Sequence, residues 1–421
     1  MTEPPPERNH LIDAARVASV LVVVIFHSVL YELHLNQGRL DIVPWAPGVG
    51  WWLASWFFMI IPVFFIAGGF AHAVLVTRLP ATRAGYTDYL ATRGRRLVGP
   101  LVLWTGVATL VGTLGAWLGD AARAVELSRQ FAQLLWFVAV YLVIVAAAPW
   151  LVRAQRRRGA LVLVPLAVAM VLVDAWSFRV GQPQLRNLNM LTVWPLCHQL
   201  GVGYHDGWFR AGPRWRPWAA IAAGALMIAV LVFGLGYPPP AVGFADIPIA
   251  NVQPPTTAMA LLGLAQAGVL GLAQRAGVLA RVPAAAQRGL SVAGALLMTV
   301  YLWHIPCLVV AGGLLVGLAW LVPGAAGLAL AQPSVAVATL AVVGLAVPWI
   351  GRLEFRLIPP PSPSPRLGAT VTAFAVVTLG TTLVWLNGTV LHPADPWPAI
   401  GLAVLGLGVS LMFRGARVRV T

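Results

Sequence analysis

Residues 13–28, DAARVASVLVVVIFHS, place an aspartate, an arginine and a histidine in a run that is otherwise mostly apolar. An apolar helix of about 20 residues spans the hydrocarbon core of a bilayer, which is about 30 Å thick. Ionisable side chains are costly in that core and usually belong to a transport pathway or a reaction. The stretch therefore predicts a membrane helix whose polar residues have a function.

The composition agrees with a membrane protein. Hydrophobic residues make up 59% of the 421 residues and charged residues only 10%, whereas soluble domains carry roughly 25% charged residues. The two cysteines, Cys197 and Cys307, cannot form a disulfide framework or a zinc cluster, and no metal is expected. The net charge of +15 would suit nucleic acid in a soluble protein, but its placement along this chain indicates membrane topology, so no nucleic-acid partner is expected.

Windows of about 20 residues predict an all-α polytopic transmembrane bundle of about twelve spans. The predicted spans are 11–33, 51–77, 97–119, 131–152, 160–177, 187–205, 218–236, 256–274, 289–318, 334–351, 367–387 and 397–413. The loops on one side of these spans carry 23 of the 28 basic residues, all arginine. The other side carries only Arg39, Arg123, Arg129, Arg179 and Arg186. The positive-inside rule therefore predicts that both termini are cytoplasmic.

The polar residues of the first span share one helical face. Asp13 lies one turn before Arg16, and His27 lies eleven residues after Arg16, which is close to three turns and roughly 16 Å along the axis. This arrangement indicates a reaction or a pathway beside the helix. The alternative is an interfacial pair of Asp13 with Arg16 and a histidine that bonds a neighbouring helix.

Three arginines precede the third span within TRGRRLVGP, residues 92–100. Arg93 and Arg96 are one turn apart and are neighbours on a helix face, which suits an anion with several oxygens, such as a phosphate or diphosphate. The alternative is that the cluster only signals topology, as other cytoplasmic arginines do.

Further polar residues occupy the ninth and sixth spans. His304 lies near the middle of the ninth span, with Tyr301 one turn before it and Pro306 two residues after it, so a structural histidine at a kink is an alternative to a functional one. The sixth span contains His198 and His205 without a third ligand at metal spacing, which favours solvation of an internal cavity over zinc.

With these residues the chain resembles the acyltransferase-3 family of polytopic membrane acyltransferases, over about residues 8–358 and ten of the twelve spans. The family often has Leu-Asp-Gly-Leu-Arg where this chain has 12–16 IDAAR, and Ser-Gly-Phe where it has 68–70 GGF. The motifs that carry the resemblance are Leu11-Ile12-Asp13 before Arg16 and His27, Arg93-Gly94-Arg95-Arg96, VFFIAGGF at 63–70 and YLWH at 301–304.

The resemblance implies transfer of an acyl group, commonly acetyl, from acyl-coenzyme A to a hydroxyl of a glycan, lipid-linked sugar or small molecule, as in a bacterial cell envelope. His27 would act as general base or would briefly take the acyl group, and Arg16, Asp13 and His304 would assist. Arg93 and Arg96 would bind the phosphates of coenzyme A. Tyr301 and His198 would contact the acceptor.

The implied domain organisation is an acyltransferase domain at 1–358 and two additional C-terminal spans at 359–421. The expected location is the inner (plasma) membrane. Two other classes stay open. In a secondary transporter, His27, His304 and Asp13 would relay protons or bind a solute, without consuming acyl-coenzyme A. A non-catalytic scaffold would leave the polar face of the first span unexplained.

Overall fold

A computed structural model describes residues 9–36, 39–247, 249–358 and 366–413 of the chain. The described residues are 79% helical with almost no sheet, so the predicted all-α polytopic bundle is confirmed. The helices and strands in chain order are α1 His10–Val29, β1 Tyr31–Asn36, β2 Arg39–Pro44, α2 Val49–Phe58, α3 Ile61–Thr77, α4 Arg83–Leu118, α5 Ala121–Ala132, α6 Leu135–Arg158, α7 Leu163–Val180, α8 Val193–His205, α9 Trp215–Ala229, α10 Thr257–Arg275, α11 Ala284–Leu321, α12 Ala326–Ala329, α13 Gln332–Leu357, α14 Leu367–Asn387 and α15 Trp397–Phe413.

Nine helical stretches of the described residues are long and apolar enough to cross a membrane. One of them, Ala121–Val180, contains two of the predicted spans, 131–152 and 160–177. The last predicted span, 397–413, is the shorter apolar helix α15. Most predicted spans therefore correspond to apolar helices.

The sixth predicted span, 187–205, differs in kind from the others. Its first part belongs to a 3₁₀ segment, Pro183–Leu191, and the rest is α8, a helix of 13 residues. At 1.5 Å per residue α8 is roughly 20 Å long, shorter than a bilayer core. Every residue from Val193 to Tyr204 is buried, so protein surrounds this helix. Its polar residues are tolerated because protein groups can satisfy them.

The first predicted span, 11–33, is also shorter than expected. Helix α1 ends at Val29 and is followed by strand β1, which pairs antiparallel with β2. Within this hairpin Asn36 donates a side-chain hydrogen bond to Asp41 at 2.9 Å. Polar residues alternate with apolar ones along β1, a period-2 pattern that favours a strand over a continued helix.

The chain forms two compact units that alternate along the sequence. Among the described residues, the first unit comprises those within Met1–Leu75, Trp150–Leu297 and Leu308–Ala341, and the second comprises those within Val76–Pro149, Met298–Cys307 and Val342–Thr421. In the first unit, α10 packs against α9, α8, α7 and α1. In the second, α14 packs against α15, α4 and α5.

Candidate functional site

Helix α1 is held at both ends within the first unit. At its start the Asn9 side chain caps the helix by accepting from the Ile12 backbone N–H at 3.1 Å, and it donates to Gln274 of α10 at 2.9 Å. At its end the carbonyl of Val29 accepts from the Gln332 side chain at 2.7 Å. The cap satisfies one of the N–H groups that have no partner inside the helix. These bonds fix the position of the polar face that α1 carries.

The three polar residues predicted to share a face of α1 do lie on one continuous helix. Asp13 is in its first turn and His27 in its last turn. Asp13, Arg16 and His27 are all half-buried. Because α1 ends at Val29, His27 lies in the last turn of the helix.

The ring orientation of His27 is set by its own helix. Its Nδ1 lies 2.8 Å from the carbonyl oxygen of Val23. A carbonyl can only accept, so Nδ1 carries the hydrogen in this contact, and in the neutral ring Nε2 is the basic nitrogen. A fixed tautomer of this kind is what a general base or a nucleophile requires.

A close crossing of α3 and α8 lies in the same unit. A Cβ atom at Gly69 would collide with the carbonyl oxygen of His198, and a Cβ at Gly201 would collide with the carbonyl of Ile66. Only glycine allows the two backbones to approach this closely. The GGF motif at 68–70 therefore has a packing role, and it brings the side chains of the next helical turn together.

Two buried histidines meet at this crossing. Nδ1 of His72 lies 2.9 Å from Nε2 of His198, and the two side chains are 3% and 0% exposed. Nδ1 of His198 lies 3.1 Å from Oε1 of Gln199. No group of three His, Cys, Asp or Glu side chains in the described ranges could hold a metal ion, so we interpret the pair as hydrogen-bonded imidazoles.

The hydrogen-bond network assigns the tautomers. The Gln199 amide nitrogen donates to the carbonyl of Leu151 at 3.1 Å and to Oε1 of Gln155 at 2.7 Å, so its oxygen faces His198. His198 must then donate from Nδ1 and accept at Nε2, and His72 must donate from Nδ1. Gln155 returns a bond to the carbonyl of Gln199 at 3.1 Å. The network links α3, α6 and α8.

The structure thus gives His198 a partner that the sequence analysis missed. Both ring nitrogens of His198 bond other side chains, so the expected contact of His198 with an acceptor stays a prediction. His72 was not predicted, although a histidine inside the apolar span 51–77 is the same signal that selected His27. Spacing alone could not pair two helices that are more than a hundred residues apart.

In the second unit, Tyr301 and His304 lie together on α11. Nδ1 of His304 is 2.6 Å from the carbonyl oxygen of Tyr301, and the two rings are 5.9 Å apart. By the same argument as for His27, the neutral His304 has its basic nitrogen at Nε2. The Tyr301 hydroxyl donates to the carbonyl of Leu134 at 2.8 Å. Helix α11 runs through Pro306 without ending.

A buried carboxylate near this turn was also missed by the sequence analysis. Glu354 on α13 is 4% exposed and accepts a hydrogen bond from the Thr299 hydroxyl at 2.6 Å. A buried acid in an apolar helix is uncommon unless it is paired or has a function. Thr299 lies within two turns of His304 on the same helix.

The arginine cluster of the second unit lies on α4. Arg93 is half-buried and Arg96 is exposed. Arg95, between them in sequence, donates to the backbone carbonyl of Ile358 at 3.0 Å. The structure thus gives Arg95 a bond that holds the end of α13, while Arg93 and Arg96 lie one turn apart as predicted.

Comparison with protein families covers the part of the chain that contains α1, α3, α4 and α11. Residues 9–353 match the family described as an acyltransferase domain. The chain belongs to the acyltransferase-3 family. This membership and the apolar helices make the protein a membrane acyltransferase. No curated protein and no solved structure is significantly similar to it.

Proposed function

We propose that this acyltransferase-3 protein moves an acyl group, with acetyl expected, from acyl-coenzyme A to a hydroxyl of a glycan, lipid-linked sugar or small molecule. Family membership supports acyl transfer, and the polar face of α1 supports a histidine-centred reaction. The observation that carries the proposal is the fixed ring of His27 on a helix held at both ends.

His27 is the proposed base. Nε2 takes the proton of the acceptor hydroxyl while the hydroxyl oxygen attacks the thioester carbonyl. The carbon–sulfur bond then breaks. The proton on the imidazolium passes to the departing sulfur, which leaves as free coenzyme A. In the variant mechanism Nε2 attacks the thioester first, the carbon–sulfur bond breaks and coenzyme A leaves as a thiolate. The hydroxyl then takes the acyl group from the ring, and its proton passes through Nε2 to the thiolate.

The remaining predicted residues have supporting roles in this proposal. Arg16 stabilises negative charge that develops on the thioester oxygen, and Asp13 orients Arg16. His304 positions the acceptor, and Tyr301 and His198 contribute to its binding. Arg93 and Arg96 bind the phosphates of coenzyme A by charge-assisted hydrogen bonds.

The proposed location is the inner (plasma) membrane, with both termini in the cytoplasm. The arginine distribution supports this orientation, because 23 of 28 arginines fall on the side that carries both termini. A reporter fused after Thr421, which lies outside the described residues, should report a cytoplasmic position.

Purified full-length protein in nanodiscs tests the proposed reaction. With acetyl-coenzyme A and an extract of envelope glycans and lipids, it should release free thiol at a rate that depends on the extract. Mass spectrometry of the extract should find one hydroxyl compound heavier by an acetyl group. Movement of a solute across sealed vesicles with no release of thiol would favour the transporter instead.

A further inference from the structure

A cavity of about 340 Å³ lies in the first unit, between the end of α7 and the loop that follows α9. Its walls are mostly apolar, with the rings of Phe178 and Tyr237 and the side chains of Ile247 and Ile249. The one charged group in this lining is Arg186, from the 3₁₀ segment after α7. None of the site residues predicted from the sequence lines this cavity.

Arg186 is unusually buried for a charged residue. It is 2% exposed, and its Nε makes a long hydrogen bond of 3.4 Å to the carbonyl of Pro183. Within the described ranges its Nη1 has no hydrogen-bond partner. The guanidinium carbon lies 5.2 Å from the centre of the Phe178 ring, a cation–π contact that compensates only part of a buried charge. Buried charges are normally paired.

Asp174 on α7 is the nearby acid, but its oxygens are occupied by neutral donors. Oδ1 accepts from the Asn189 side chain at 2.8 Å. Oδ2 accepts from the Tyr237 hydroxyl at 2.9 Å and from the Thr257 backbone N–H at 2.7 Å. In the part of the chain that the structure describes, every hydrogen bond that Asp174 accepts thus comes from a neutral group.

The pKa values of Arg186 and Tyr237 also indicate that the charge of Arg186 is only partly compensated. Burial lowers the pKa of Arg186, although the carboxylate of Asp174 acts in the opposite direction. Burial and the same carboxylate raise the pKa of Tyr237, so its hydroxyl stays protonated and continues to donate to Asp174. The protein therefore compensates the charge of Arg186 incompletely.

We propose that this cavity binds an anionic group, a carboxylate or a phosphate, on a molecule with a ring or aliphatic body. The anion accepts charge-assisted hydrogen bonds from the guanidinium of Arg186. The body packs against Phe178, Tyr237 and the two isoleucines. The anion site goes beyond acyl transfer, because its lining includes none of the residues proposed for that reaction and binding alone tests it.

Titration of the full-length protein in nanodiscs of neutral phosphatidylcholine tests the cavity. The probes are glucuronate, glucose 6-phosphate and uncharged glucose, followed by calorimetry. At least one of the two anionic sugars should bind about tenfold or more tightly than glucose. Equal affinity for all three probes, or no binding of either anionic sugar, overturns the proposal. No variant has to fold for this comparison.

Variants then locate the site. Arg186→Gln should weaken binding of the anionic sugar by about tenfold or more, since it removes hydrogen bonds to a charged group. Arg179→Gln is the matched control, because it removes the same charge from an exposed position at the end of α7 and should bind as the wild type does. Wild-type binding by Arg186→Gln, or an equal loss in Arg179→Gln, contradicts the site.

Competition by an anionic lipid shows whether the anion belongs to a lipid or to a soluble molecule. If phosphatidylglycerol in the nanodisc competes with the anionic sugar, the natural anion is a lipid headgroup. If the lipid has no effect, the anion belongs to a soluble molecule. Both results keep the anion site, and they differ only in what carries the charge.

Discussion

The polar face of α1 and the crossing of α3 with α8 both place histidines in apolar helices of the first unit, but the two regions bond them differently. Nδ1 of His27 bonds a carbonyl of its own helix, whereas both nitrogens of His198 bond other side chains. A bond within the helix orients a ring. A network between helices holds the helices together. We therefore expect His27 to matter for chemistry and the His198 network to matter for stability.

The largest expected effect is that of His27→Ala on acyl transfer. The rate should fall by about 10²–10⁴-fold, because a methyl group cannot replace a general base or nucleophile. The melting temperature should stay near that of the wild type. Release of free coenzyme A by each purified variant measures this. His34→Ala, at an exposed position of β1, is the matched control and should keep full activity. A well-folded His27→Ala protein with wild-type activity would falsify the assignment.

At the α3–α8 crossing we expect a substitution to lower the stability of the protein. Gln199→Leu leaves Oε1 of Gln155 and the Nδ1–H of His198 without their partner, and each unsatisfied buried group costs about 1–3 kcal/mol. The melting temperature should fall clearly. Thermal unfolding in detergent measures this. If Gln199→Leu is as stable as the wild type but inactive, the network belongs to the chemistry and the contrast between the regions is wrong.

The backbone contact at the crossing gives a related prediction. Gly69→Ala should destabilise the protein by about 1–3 kcal/mol, because the new methyl group collides with the His198 carbonyl. Gly106→Ala in α4 is the matched control, since a Cβ there meets open space, and it should be neutral or slightly stabilising. Equal melting temperatures of the two variants would show that α3 and α8 do not depend on this approach.

The smallest expected effect concerns the arginines of α4, where KM for acyl-coenzyme A and stability can be measured separately. Replacing both Arg93 and Arg96 by Gln should raise KM for acyl-coenzyme A about tenfold and change kcat less, if the phosphate contacts are equal in ground and transition states. The control is the exposed pair Arg157 and Arg158 changed to Gln. A normal KM in the Arg93/Arg96 variant would leave topology as the role of the cluster.

Arg95→Gln should lower stability by about 1 kcal/mol without changing KM, because Arg95 bonds the Ile358 carbonyl.

The helical class and most of the spans could be predicted, because hydropathy over 20 residues depends on local sequence alone. The sixth span was the exception. Its asparagines, histidines and glutamine are unfavourable in lipid, and the structure shows α8 buried within protein. Local sequence does not reveal whether lipid or protein surrounds a segment.

Some of the candidate site residues could be predicted from local sequence, whereas their contacts across the fold could not. Asp13, Arg16 and His27 were found because they repeat on one helix. The bonds from His72 to His198 and from Thr299 to Glu354 join residues far apart in sequence, so only the fold reveals them. Asp174 and His72 did carry a local signal, since each is a lone ionisable residue in a predicted apolar span, whereas Glu354 lies between Arg352 and Arg356 beyond the end of its predicted span. That signal marks a residue as notable but does not name its partner.

The His72–His198–Gln199–Gln155 network also bears on how the protein responds to an energised membrane. The hydrogen bonds described for this network can all form with the four side chains neutral. An elementary charge that crosses the full membrane gains or loses about 2.3 kcal/mol per 100 mV, whereas a neutral group is not driven by voltage. The crossing of α3 and α8 should therefore assemble equally well in depolarised vesicles and in respiring cells.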